Sequence, residues 1–279
     1  MNYKIVSDSG VNLRKMEAAI GYATVPLKIS TEEREFVDDL DLDVREMVTY
    51  LNGYKGKSGT ACPSVSDWLE AFGDAERVIC FTITSTLSGS YNAARLAKED
   101  YEAEYPDRSV FIVDTLSAGP EMELLIEKVA ELAARGEEFE TICEEISLYK
   151  ENTGLMFSLE SLKNLANNGR VSPMVAKVAG ALGIRIVGRA SAHGELEPMD
   201  KCRGEKKALA KIISRMKEMG YAGGKVRIDH CDNPSAAEQL KQQILQEYAK
   251  AKVAIGVTFG LCSFYAEQGG LMIGFEKTE

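Results

Sequence analysis

Short runs of β-branched and apolar residues alternate with longer stretches of helical period, and this alternation confines the chain to α/β layering around largely parallel strands. Ile5-Val6 begins one strand. Residues 78–83 and 110–113 are near-continuous apolar runs, as expected for strands covered on both faces. Helices are predicted between them. Residues 64–72 open with Ser64 and Asp67, a capping-box pair, behind Pro63. Residues 89–105 carry Tyr91, Ala94, Leu96 and Tyr101 among charges and stop at Pro106. Residues 121–135 place Leu124, Leu125, Val129 and Leu132 on one face, with Gly136 set to cap the C-terminus.

The texture changes at the polar cluster 151–154, which reads as a domain boundary. Beyond it the pattern predicts two short helices, around Leu162 and Val178, then a hairpin of residues 184–187 and 195–197 turning at His193-Gly194. A helix over 205–219, a strand over 226–228, a helix over 234–250 and strands over 253–259 and 271–275 follow. The expected fold is therefore two α/β domains. Residues 1–154 hold a mostly parallel sheet with helices on both faces, and residues 155–279 hold a mixed sheet covered by helices.

Composition narrows the function. A net charge of −10 and a sequence pI near 5.0 argue against nucleic acid, whose binding rests on clustered Lys and Arg. The N-terminus reaches Ser7-Asp8 after two apolar residues and lacks the apolar core of an export signal. The most apolar later stretch, 175–187, is interrupted by Lys177 and Arg185, well short of the ~20 apolar residues that a membrane span needs. Six scattered cysteines form no CxxC pair and read as reduced thiols, so the expectation is a cytoplasmic protein. The string 53–58 ends in Gly-Lys-Ser, but the first glycine of a P-loop would fall at Leu51, inside a stretch that reads as helix. It reads as a solvated loop. No G-x-G-x-x-G follows a strand. The two histidines, His193 and His230, have no partners at metal-ligand spacing, and neither cofactor nor metal is expected.

A repeated feature at strand ends carries the chemistry. Ser7-Asp8-Ser9-Gly10, residues 84–90 and residues 114–119 are loops rich in hydroxyls and small side chains, and residues 58–64 add a fourth such turn at a helix start. In open α/β sheets ligands bind beyond the carboxyl ends of strands, where helix N-termini present unpaired N–H groups suited to an anion. Five of the seven residues in 84–90 bear hydroxyls, where helix capping alone needs one.

These residues resemble the DegV family of fatty-acid-binding proteins, and the resemblance runs from Lys4 to Phe275. It is carried by Asp8-Ser9, Thr60-Ala61-Cys62-Pro63-Ser64, Leu87-Ser88-Gly89-Ser90-Tyr91, Gly169-Arg170 and Arg203-Gly204-Glu205-Lys206-Lys207-Ala208, in that order. The resemblance implies one long-chain fatty acid enclosed between the two domains, its carboxylate at Thr60 and Ser88. It also implies presentation of that acid to a separate ATP-binding fatty acid kinase subunit, with no catalysis by this chain. Where the family usually has His-x-Gly-Pro-Gly, this chain has Tyr265-Ala266-Glu267-Gln268-Gly269, so Tyr265 stands at the histidine. A phenol donates one hydrogen bond and cannot become cationic.

Ser9, Cys62, Ser85 and Gly89 complete the candidate ligand-binding set. Leu155, Met156, Phe157, Leu162, Leu182 and Ile184 are candidates for the acyl-chain wall or for ordinary core. Lys201, Arg203, Lys206, Lys207 and Lys211, with Arg170, form a candidate docking patch or a solvated basic face. Two other readings stand beside the carrier: a hydrolase or transferase using Cys62 as nucleophile with His193 or His230 as base, and a lipid chaperone or sensor with no kinase partner.

Overall fold

The computed structural model describes residues 3–16, 20–174 and 183–277. The first half is built on a four-stranded parallel sheet in the order β2-β1-β6-β7, from β1 (Tyr3–Asp8), β2 (Gly21–Val25), β6 (Arg77–Thr82) and β7 (Ser109–Asp114). Successive strand residues point to opposite faces, and here each face has its own core. Ile5, Ile79, Phe81 and Val113 pack under helices α4 (Pro120–Ala134) and α5 (Phe139–Glu151). Val6, Val78, Cys80 and Val110 pack under α2 (Val65–Phe72) and α3 (Ser90–Glu104). The capping box forms as expected: the Asp67 N–H donates to Ser64 Oγ at 3.2 Å, and the Ser64 N–H donates to Asp67 Oδ2 at 2.7 Å.

A second, six-stranded sheet has the order β10-β9-β8-β13-β11-β12. It comprises β8 (Thr153–Leu159), β9 (Ile184–Ala190), β10 (Leu196–Arg203), β11 (Lys225–His230), β12 (Lys252–Val257) and β13 (Leu271–Glu276). The β11–β12 pair is parallel and the other pairs are antiparallel, which is the expected mixed sheet. Helices α7 (Glu205–Glu218) and α8 (Pro234–Glu247) bury Leu209, Ile212, Leu240 and Ile244 against one face. On the other face α4 packs against β13 and β11. A side chain at Gly274 would meet the Pro120 carbonyl carbon at 2.5 Å, so glycine lets helix and sheet close together there.

Three details differ from expectation. Residues 58–64, read as a turn, include strand β5 (Ser58–Ala61), which joins β3 (Lys28–Thr31) and β4 (Glu35–Val37) in a small antiparallel sheet. Its pairing with β3, Thr60 opposite Ile29, supplies the order that local sequence does not. The cluster at 151–154 is the end of α5 and the start of the wholly buried β8, with no intervening loop. The last strand before residue 260 ends at Val257, and residues Gly260–Ala266 form a short helix, α9. The helix expected around Val178 lies outside the described residues, as does Leu182. Among the described residues no helix is long and apolar enough to cross a membrane.

Candidate functional site

Between the two sheets lies a cavity of about 360 Å³. Strand β8 forms its long wall: Leu155, Phe157 and Leu159 line it, while Met156 points through the sheet into the core under α7. Two-residue periodicity therefore divides the expected wall residues between cavity and core. Leu162 and Ile184 belong to the cluster behind the wall. Leu27, Ile83, Leu87 and Leu116 of the first half line the opposite side.

One end of this apolar cavity is polar. Thr60, from β5, and Tyr265, from α9, share a hydrogen bond of 2.8 Å between their hydroxyls, and both line the cavity. The Tyr265 ring meets Phe264 edge-on, with centroids 4.8 Å apart. Burial pushes the phenol above its ordinary pKa, opposed by the Thr60 bond and the Arg170 charge, so it stays neutral. Ser88 and Gly89 line the cavity at the start of α3, and Cys62 lies against Gly89, its sulfur 3.0 Å from where a side chain there would begin. Arg170, half-buried, is the sole cation among the described lining residues; its guanidinium donates to the Asn168 carbonyl.

Of the sequence-predicted residues, Thr60, Cys62, Ser88, Gly89 and Tyr265 thus share one cavity. Arg170, grouped by sequence with the docking patch, lines it as well. Ser9 does not: its hydroxyl accepts the Leu27 N–H at 2.9 Å and braces the strand-end loop. Ser85 is exposed, its N–H donating to Asp114 Oδ1 at 3.1 Å. Arg203, Lys206 and Lys207 are exposed around the β10–α7 junction, away from the cavity. Neither His193 nor His230 lines the cavity beside Cys62, and His230 Nδ1 accepts the Asn233 N–H at 3.2 Å. No cluster of three His, Cys, Asp or Glu residues fit for a metal occurs among the described residues.

Two buried carboxylates position the polar end, and sequence reasoning missed both roles. Asp8 accepts from Ser90 Oγ at 2.5 Å, Ile83 N at 2.9 Å and Gly10 N at 3.1 Å, so it ties the end of β1 to the loop that carries Ser88. Asp38 accepts from the Gly260 and Leu261 N–H groups, each at 2.8 Å, and so holds the start of the helix that bears Tyr265. Asp38 stands in the acidic run 38–43, which reads as solvated; no local signal marks it as buried.

Burial pushes the Asp8 carboxyl up to about 6 from its usual 3.8, against its three hydrogen bonds. The folded protein then holds that proton more tightly than the unfolded chain, so stability declines as pH rises from about 4 to about 6. Asp8→Asn should flatten this decline by up to about 3 kcal/mol, since each unit of pKa shift is worth about 1.4 kcal/mol. Urea unfolding across that pH window measures it; a variant with the wild-type slope would rule Asp8 out as the source.

Comparison with known proteins agrees with this architecture. Residues 2–278 match the family described as "Uncharacterised protein, DegV family". A DegV domain-containing protein of Streptococcus pyogenes serotype M1 is 43% identical over 279 residues, covering 99% of this chain and 100% of that protein. A DegV family protein from Eubacterium eligens loaded with heptadecanoic acid is 42% identical, with a TM-score of 0.96 over 99% of this chain and 100% of that one. The Fatty Acid Kinase (Fak) B3 protein of Streptococcus pneumoniae loaded with linoleic acid is 41% identical, with a TM-score of 0.98 over 100% of both chains. The parallel sheet, the mixed sheet and the full-length matches lead to one conclusion: this chain belongs to the DegV family.

Proposed function

We propose that this protein binds a long-chain fatty acid and presents it to a separate ATP-dependent kinase subunit, which forms the acyl phosphate. The observation that carries the reading is a largely apolar cavity with the Thr60, Ser88 and Tyr265 hydroxyls on its wall, in a chain whose structural neighbours hold heptadecanoic and linoleic acids. Residues 1–154 supply the carboxylate loops through Thr60 and Ser88. Residues 155–279 supply the long β8 wall and reach back to the polar end with Tyr265 and Arg170. Neutral hydroxyls hold an anion because charge-assisted hydrogen bonds are about twice as strong as neutral ones, and Arg170 supplies the countercharge. The acyl chain adds about 0.8 kcal/mol per buried methylene before the costs of binding.

No catalytic group of its own is assigned to the chain: Cys62 has no histidine beside it at the cavity. The exposed Arg203, Lys206 and Lys207 are the proposed docking face for the kinase subunit, and all six cysteines are free, in keeping with a cytoplasmic location.

Titration of the delipidated protein with a fatty acid and with its methyl ester tests the reading. The acid should bind at least about tenfold tighter, the worth of one charge-assisted hydrogen bond. Equal affinity would remove the carboxylate site. In the presence of ATP and a fatty acid kinase ATP-binding subunit, Arg203→Glu should leave acid binding unchanged and lower acyl-phosphate formation. A variant that turns over at the wild-type rate would move the docking face elsewhere.

A further inference from the structure

Thr60, Tyr265 and Arg170 come from three separate segments of the chain, so their spacing depends on what joins those segments. A five-residue helix, α6 (Lys163–Asn167), touches both α9 and β5. Two asparagines one turn apart carry the joints. Asn164 donates its Nδ2 to the carbonyl of Phe264, the residue before Tyr265, at 2.8 Å. Its backbone N–H, one of those that a helix start leaves unpaired, donates to Glu267 Oε1 on the other side of Tyr265 at 3.1 Å. Asn168 donates its Nδ2 to the carbonyl of Ser58, on the same strand as Thr60, at 3.3 Å. The Asn168 carbonyl accepts the Arg170 guanidinium.

The end of the same helix fixes the backbone of Arg170. Gly169 takes a φ of +73°, its N–H donates to the Ala166 carbonyl at 3.0 Å, and the Arg170 N–H donates to the Leu165 carbonyl at 2.8 Å. This is the Schellman turn, a defined helix exit that glycine makes possible. It ties Arg170 to Leu165, which also lines the cavity. A second observation points the same way. Glu267 ends α9 at φ +54° and ψ 172°, close to a conformation that glycine alone adopts without strain. Such strain persists where the surroundings over-determine it, and it gathers at functional sites. Glycine at 267 would leave the helix freely but would deprive the Asn164 N–H of its acceptor.

We propose that Asn164, Asn168 and Glu267 are positioning residues for the carboxylate, holding Tyr265, Thr60 and Arg170 at one spacing through α6. The inference rests on the fatty-acid reading above. None of the three lines the cavity, so each acts through the residue it holds. Donors serve an anion when supporting hydrogen bonds keep them within about 0.5 Å of the productive geometry.

Equilibrium binding of heptadecanoic acid and of its methyl ester to the delipidated full chain, with thermal melting of the same preparations, tests this. Glu267→Gly removes both the strain and the bond. It should melt no lower than wild type, while acid affinity falls about tenfold and ester affinity stays. A merely structural residue would move stability and affinity together. Glu267→Gln keeps an oxygen for the Asn164 N–H and should recover most of the lost affinity, which separates the bond from the carboxylate charge. Asn164→Ala and Asn168→Ala should each lower the acid-to-ester affinity ratio by a similar factor. A wild-type ratio in Glu267→Gly overturns the proposal, as does equal weakening of acid and ester, or a loss of stability and affinity together in that variant. Should an asparagine variant fail to fold, Glu267→Gly alone decides. Wild-type protein that binds neither compound overturns the fatty-acid reading itself, and that result is visible before any variant is made.

Discussion

Arg170→Met should weaken long-chain acid binding by about 2 to 3 kcal/mol, roughly 30- to 150-fold, the range measured for hydrogen bonds to charged groups. The size follows from placement. Arg170 is the one cation on the described wall of a largely apolar cavity, and its charge reaches Tyr265. In such surroundings a carboxylate that loses its countercharge keeps its desolvation cost and loses its compensation. Arg170→Lys should recover part of the affinity, since an ammonium restores charge without the planar fork of the guanidinium. The methyl ester should bind both variants as it binds wild type. Acid affinity that survives Arg170→Met would leave the hydroxyls of Thr60, Ser88 and Tyr265 as sufficient and return Arg170 to a docking role.

Asp38→Ala should lower the unfolding free energy by about 3 to 5 kcal/mol, because it orphans two buried backbone N–H groups at about 1 to 3 kcal/mol each and strips Arg14 of its partner. The residue is 2% exposed, so water does not replace its carboxylate. The effect should extend to function. Helix α9 has seven residues, too short to hold itself without tertiary anchoring, and with its first turn released the Tyr265 hydroxyl loses its fixed distance from Thr60. Acid affinity should therefore fall with stability, whereas a truncation in the core cluster that holds no residue of α9, such as Ile244→Val, should lower stability alone. Chemical denaturation and acid titration on the same preparations separate the two. An Asp38→Ala protein with wild-type stability would mean that the Gly260 and Leu261 N–H groups find other acceptors.

How far the sequence could be read depends on where each element gets its order. Strands β1, β6 and β7 of the parallel sheet are legible because their apolar runs and flanking turns are local, whereas the edge strand β2 carries no such run and is missed. Helix α2, whose capping box lies within four residues, is legible too, and so is the hairpin, whose turn carries Gly194 at the position that needs a positive φ. The small sheet β3-β4-β5 is not legible: its strands have only three or four residues, and β5 takes its place by pairing with β3 across about thirty residues of chain. Helix α9 is missed for the same reason in a sharper form, since Asp38, which binds its first N–H groups, lies 222 residues earlier. At the candidate site, hydroxyl-rich loops could be recognised one by one, and Thr60, Cys62, Ser88 and Gly89 meet at one cavity. Which loop residues turn inward could not be read. Ser9 and Ser85 share the composition of their neighbours, yet the Ser9 hydroxyl is spent on the Leu27 N–H and Ser85 stands exposed. Arg170, beside a glycine with a φ of +73°, sits where no periodicity reports direction.

Native mass spectrometry of the protein purified without delipidation tests the central claim most directly. The account predicts one added mass per chain, equal to a long-chain fatty acid, which extraction recovers as the free acid. An empty protein that also fails to take up added fatty acids would contradict it.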